Sequence, residues 1–97
     1  MSKKPKKPTP NLENAIVEQI RDIDPELMLM DGYDDCIIGI VERAGAESCI
    51  CYDKAKILQR HQDDGMTPEE AVEYFEFNQI GAWVGERTPC FIEILTP

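Results

Sequence analysis

Six consecutive residues without a polar side chain, Cys36-Ile37-Ile38-Gly39-Ile40-Val41, leave this chain little choice of architecture. The run is far short of the ~20 apolar residues of a membrane span. It is rich in β-branched residues and does not alternate, so it reads as a strand buried on both faces. Asp31-Gly32-Tyr33-Asp34-Asp35 before it is a turn by composition. Ala44-Gly45-Ala46-Glu47-Ser48 after it is a loop of hairpin length, with a glycine for a positive-φ position. Cys49-Ile50-Cys51-Tyr52 is the return strand. Its alternation places both cysteines on one face and Ile50 with Tyr52 on the other. Cys90-Phe91-Ile92-Glu93-Ile94-Leu95 is a further strand. The doubly apolar run belongs in the middle of a sheet, which predicts a three-stranded antiparallel sheet of 36–42, 49–52 and 90–95 with 36–42 central.

Three helical patterns accompany these strands. Leu12, Ala15, Ile16, Ile20 and Ile23 recur at helical spacing over about 12–23. Asn11 is available as a cap, and Asp24-Pro25 ends the helix because a residue before proline avoids the helical region. Glu26 to Met30 reads equally as a turn of helix or an extended lead-in. Asp53 caps a second helix, about 54–63, which stops at Asp63-Asp64-Gly65. Thr67-Pro68-Glu69-Glu70 is the clearest local signal: Thr67 caps, Pro68 takes the first helical position and Glu70 completes a capping box. The helix that follows, about 68–79, buries Ala71, Val72, Phe75 and one of Asn78 or Gln79. Ala82 to Pro89 is irregular, with Trp83 as an aromatic anchor. The order helix, strand, strand, helix, helix, strand predicts an α+β domain with helices mainly on one face of the sheet.

Charge divides the chain in two. The net charge is −9, yet residues 1–10 carry Lys3, Lys4, Lys6 and Lys7 and no acid. That leaves −13 on residues 11–97, a single acidic domain behind a basic Pro/Lys tail. The tail holds Pro5, Pro8 and Pro10 and almost nothing apolar, so it is expected to be disordered. It reads as a solubility tail or as a tether to an anionic partner. The start lacks the apolar core of a secretory signal, so a cytoplasmic, reducing compartment is expected for the four cysteines. Cys36, Cys49, Cys51 and Cys90 lack the paired spacing of a zinc site and sit in apolar runs, which favours small reduced core residues. A domain this acidic repels phosphate, so direct nucleic-acid binding is not expected, and neither is membrane association.

No catalytic constellation emerges. His61, the lone histidine, has no neighbouring nucleophile and reads as a packed or surface residue. The glycines are scattered singly, so no phosphate loop and no cofactor are indicated. Two acidic sets remain as candidate partner-binding residues. One is the turn of Asp31, Asp34 and Asp35, whose aspartates either accept backbone hydrogen bonds or offer hard oxygen ligands to a cation. The other is Glu69, Glu70, Glu73 and Glu76, neighbours at spacings of three and four on one helix. That ridge reads as a solvated face or as a contact surface for a basic partner. Tyr74, Phe75 and Phe77 diverge by about 100° per residue, so they cannot all enter one core. They either pack under the Trp83 loop or, exposed beside acids, suit a protein contact.

Several motifs fall in a recognisable order: Asp31-Gly32-Tyr33-Asp34-Asp35, Cys51-Tyr52-Asp53, Gly65-Met66-Thr67-Pro68-Glu69-Glu70-Ala71, Phe77-Asn78, and Gly81-Ala82-Trp83-Val84-Gly85-Glu86-Arg87-Thr88-Pro89. Over about residues 29–92 the chain resembles a group of short bacteriophage-encoded proteins. The resemblance implies a phage or prophage origin and implies no mechanism. The leading expectation is a non-catalytic acidic module that binds a host or phage protein with a basic surface, such as a nucleic-acid enzyme whose groove accepts an acidic ridge. The alternatives are a metal- or nucleotide-binding protein centred on Asp31, Asp34, Asp35 and Glu86, and a virion or assembly accessory.

Overall fold

The computed structural model describes residues 12–82 and 84–97, with side-chain environments from residue 15 onward. The basic tail 1–10, the Asn11 cap and the Trp83 anchor lie outside the described residues. The described elements are α1 (Leu12–Ile23), β1 (Ile37–Arg43), β2 (Ala46–Asp53), α2 (Lys54–Asp63), α3 (Pro68–Asn78) and β3 (Cys90–Ile92), with a single 3₁₀ turn at Asp34–Cys36. The fold is α+β: three helices and one three-stranded mixed sheet.

Local chemistry sets most boundaries. The Asp24 amide still donates to Ile20 O at 2.9 Å, but Pro25 follows and Asp24 Oδ1 accepts from the Glu26 amide at 3.0 Å, turning the chain out of α1. Residues 28–30 then run without helical structure, and the Met30 amide donates to the Tyr52 hydroxyl at 2.6 Å. Thr67 Oγ1 accepts from the Glu70 amide at 3.1 Å while Glu70 Oε1 accepts from the Thr67 amide at 2.9 Å, the reciprocal capping box read from the sequence.

The sheet differs from expectation in three respects. Its order is β1-β2-β3, so β2 is central and the apolar run of β1 is an edge. Ile38 is 47% exposed, whereas Cys49, Ile50 and Tyr52 are buried. An apolar run marks a strand, but only the long-range partners decide which strand is flanked on both sides. Second, β3 pairs parallel to β2, Cys51 opposite Cys90 and Asp53 opposite Ile92. The connection through α2 and α3 is long enough to return β3 to the end at which β2 starts, which a parallel pair requires. The β1–β2 pair is antiparallel as expected. Third, β3 stops at Ile92 and does not continue to residue 95. Its last partner, Asp53, is also the cap of α2, accepting from the Ala55 amide at 3.0 Å, so β2 offers no backbone beyond it. Ile94 and Leu95 are exposed in consequence. The hairpin turn is also tighter than expected: Arg43 pairs with Ala46 across Ala44 and Gly45, the glycine at φ +72°.

One apolar cluster joins the layers. Ile37, Ile50 and Tyr52 of the sheet meet Ile20 of α1, Ile57 of α2 and Phe75 of α3, with Leu27 and Cys36 alongside. Phe91 packs edge-on against Phe75 at 4.9 Å between ring centres and lies 6.1 Å from Tyr52. Cys49, Cys51 and Cys90 occupy the other face of the strands. All four cysteines are unpaired thiols, and all but the half-buried Cys90 are buried. Burial pushes the Cys49 and Cys90 thiols upward.

Candidate functional site

The two acidic sets have different environments. In the turn, Asp31 is exposed and Asp34 half-buried at the start of the 3₁₀ turn. Asp35 is tied to Arg60: Nη1 donates to its Oδ1 at 2.6 Å, and Arg60 Nη2 donates to Gly32 O at 2.5 Å. The same guanidinium lies 5.4 Å above the Tyr33 ring. The expected backbone partner of Asp35 is thus replaced by an arginine from α2, and its charge is compensated. Among the described residues, no group of three or more His, Cys, Asp or Glu is arranged to hold a metal ion.

The α3 set is built differently. Ala71 and Phe75 face the core, while Val72 is 38% exposed, where the spacing placed it inside. Glu69, Glu70, Glu73 and Glu76 are all exposed. Glu70 is committed to the capping box, and no ion pair among the described residues engages Glu69, Glu73 or Glu76. The domain's cations sit elsewhere: Lys54 on Glu93, Arg60 on Asp35, and Arg87 on Asp24 and Glu47. Asp31, Asp34, Asp63 and Asp64 are likewise in no ion pair among the described residues, so α3 is distinguished by having its unpaired acids in a row on one helix.

Apolar surface lies beside that charge. Tyr74 is 41% and Phe77 79% exposed. With Met66, Glu70, Glu73 and Asn78 they line a shallow groove of about 400 Å³. The reason is angular: with Ala71 and Phe75 turned inward, the positions on either side must face solvent. The aromatic cluster was legible in the sequence; Asn78, one of two residues considered for the inner face, is exposed here and Gln79 is half-buried.

α2 separates the two acidic sets and braces both. Arg60 reaches the turn, while the next residue, His61, is buried between Tyr33 and Tyr74 at ring distances of 5.9 and 4.8 Å. His61 Nε2 is 2.9 Å from Gln79 Oε1, so the histidine is a packing residue that steadies Tyr74.

The motif Gly85-Glu86-Arg87-Thr88 resolves into a polar clamp. Arg87 Nη1 reaches Asp24 Oδ2 at 2.8 Å and Nη2 reaches Glu47 Oε2 at 3.3 Å. Arg43 Nη2 donates to the carbonyls of Glu47 and Glu86 at 2.8 and 2.7 Å. Thr88 Oγ1 accepts from the Val84 amide at 2.8 Å and donates to Gly85 O at 2.6 Å. A cleft of about 780 Å³ opens here beside Met28 and Gly45, but Glu47, Glu86 and Arg87 on its wall are engaged with one another or with the hairpin. The clamp links the residue after α1, the hairpin and the segment leading to β3. Glu86 is part of it and is remote in role from the Asp31–Asp35 turn.

No helix of the described residues is long and apolar enough to cross a membrane. The chain matches no known family model, no curated protein and no solved structure.

Proposed function

We propose that this protein is a small acidic binding module whose α3 face engages a protein with a basic surface. The observation that carries this reading is the coincidence, on one helix, of exposed aromatic rings and acids that have no ion-pair partner among the described residues. Carboxylates at helical spacing steer a cationic partner and set its register, while Tyr74 and Phe77 supply apolar contact area. A basic groove built to receive nucleic-acid phosphates is one chemistry that would accept such a ridge, which keeps an inhibitor of a nucleic-acid enzyme in view. A phage or prophage origin and action in a host cytoplasm belong to the same proposal, on the strength of the sequence motifs.

The test is comparative capture from host lysate. Glu73→Lys with Glu76→Lys removes repulsion along α3 and leaves the thermal midpoint unchanged or slightly raised. The wild-type chain should retain a protein at physiological salt that this variant loses, with the loss arising mainly in the association rate. Equal capture by both, at low and at physiological salt, would remove α3 as the binding face.

A further inference from the structure

The thiols on the sheet face opposite the apolar cluster take no part in the proposed binding. Cys51 sits on the central strand and has two neighbours in register, Gly39 on β1 and Cys90 on β3. Gly39 brings no side chain, and a Cβ built there would meet no atom within 4 Å, so the space beside Cys51 on that side is open. The side chain level with the Cys51 thiol across the sheet is therefore that of Cys90. Register neighbours in a sheet stand about 5 Å apart at Cα, inside the range of about 4.4–6.8 Å that a disulfide spans. Partners in register also point to the same face, so the two Cβ atoms leave the sheet together. Cys49, two residues back along β2, is diagonal to Cys90. Diagonal neighbours stand about 7–8 Å apart, too far to bridge without moving backbone. Cys36 belongs to the apolar cluster on the other side.

Access is graded in the same direction. Cys90 is half-buried, while Cys36, Cys49 and Cys51 are buried. A reagent from solvent meets Cys90 first, and Cys51 needs no solvent access to close on it. β3 is also an element with much to gain from a cross-link. It pairs with β2 over three residues, and the chain beyond it is exposed.

We propose that Cys51 and Cys90 are a redox pair, which a small-molecule disulfide such as oxidised glutathione converts to a cross-link that locks β3 onto β2. The Cys90 thiolate attacks one sulfur of the reagent, forming a mixed disulfide and releasing one small thiol. The Cys51 thiolate then attacks the Cys90 sulfur and expels the second. The protein gives up two electrons and two protons, and the reagent takes them up as two thiols. The link closes residues 52–89 into a loop, which stabilises the fold by restricting the unfolded chain. A partly exposed sulfur stays open to attack by small thiols, so the lock is reversible. The inference does not depend on the binding role of α3.

The experiment treats the full folded chain with oxidised glutathione, blocks the remaining thiols and maps the peptides without reduction. The oxidant is in excess, because burial holds the Cys90 thiol above its ordinary value and keeps its thiolate scarce. The expected product is lighter by two hydrogens and carries a Cys51–Cys90 link within one chain, with Cys36 and Cys49 free. It should melt above the reduced chain and return to it in excess reduced glutathione. Cys49→Ala should form the same link, whereas Cys51→Ala should stop at the mixed disulfide on Cys90. The map of the parent chain decides the matter even where a variant fails to fold. A lasting glutathione adduct on the parent, a Cys49–Cys90 link, links only between chains, or a linked chain that melts no higher than the reduced one would each overturn the proposal. So would four thiols still free after treatment.

Discussion

Tyr52 concentrates much of the stability of this chain in one side chain. It is fully buried, and its hydroxyl accepts the Met30 amide, the tie that holds the irregular 28–30 segment against the sheet. Tyr52→Phe keeps the ring and strands that amide, which should cost about 1–3 kcal/mol in a urea titration. Burial also pushes the Tyr52 phenol from 10.0 up to about 12 and the Cys36 thiol from 9.0 up to about 11, with the Asp35 charge adding to the latter. Both groups are neutral when protonated and held above their ordinary values. Their contribution is complete below about pH 9 and drains away as pH climbs through 11 and 12, which an alkaline melting series will follow. Asp24 behaves oppositely. The Arg87 hydrogen bond, then the Glu26 amide, hold its carboxyl below the ordinary 3.8. That stabilisation is present above about pH 4 and is lost as pH falls through the lower native value. Arg87→Gln should therefore flatten the acid limb of the midpoint-against-pH curve relative to the wild type. The sequence marked Asp24 as a helix stop, but its ion pair spans 63 residues and had no local signature.

At the scale of elements, legibility followed locality. The α3 cap was readable because each of its partners lies within three residues. Thr67→Ala should cost about 1 kcal/mol, measured by chemical denaturation, with Glu70→Gln costing less because its amide oxygen still accepts from Thr67. The Asp53 cap of α2 was legible for the same reason, whereas its second role, ending the pairing available to β3, was not. The apolar run of β1 identified a strand and its hairpin neighbour β2 correctly but placed β3 beside it wrongly, since periodicity reports burial and is silent on which strand lies beside which. On α3 the spacing placed Ala71, Val72 and Phe75 inside; Ala71 and Phe75, four apart, are buried, and Val72, one position round from Ala71, is exposed.

Across the whole molecule, the balance of charge and the route of the chain dominate. With −13 on residues 11–97, self-repulsion works against the compact state. Raising salt from about 20 to about 200 mM should lift the thermal midpoint by roughly a few degrees, and Glu73→Lys should reproduce part of that gain at low salt. The acidic ridge itself was legible, because charge and helical spacing are properties of the sequence; the matching of the other acids by Arg60, Arg87 and Lys54 was not, because those pairs join distant elements. The parallel placement of β3 has a further consequence, in time. Thirty-six residues, 54–89, separate β2 from its second neighbour. At ordinary rates of synthesis the ribosome needs about 2–7 s to make them. Throughout that interval Tyr52, joined partway by Phe75, lacks the Phe91 ring that lies against both in the finished fold. The nascent chain thus carries an open apolar seam whose closure waits on translation, and that interval is when chaperones and proteases have access to it.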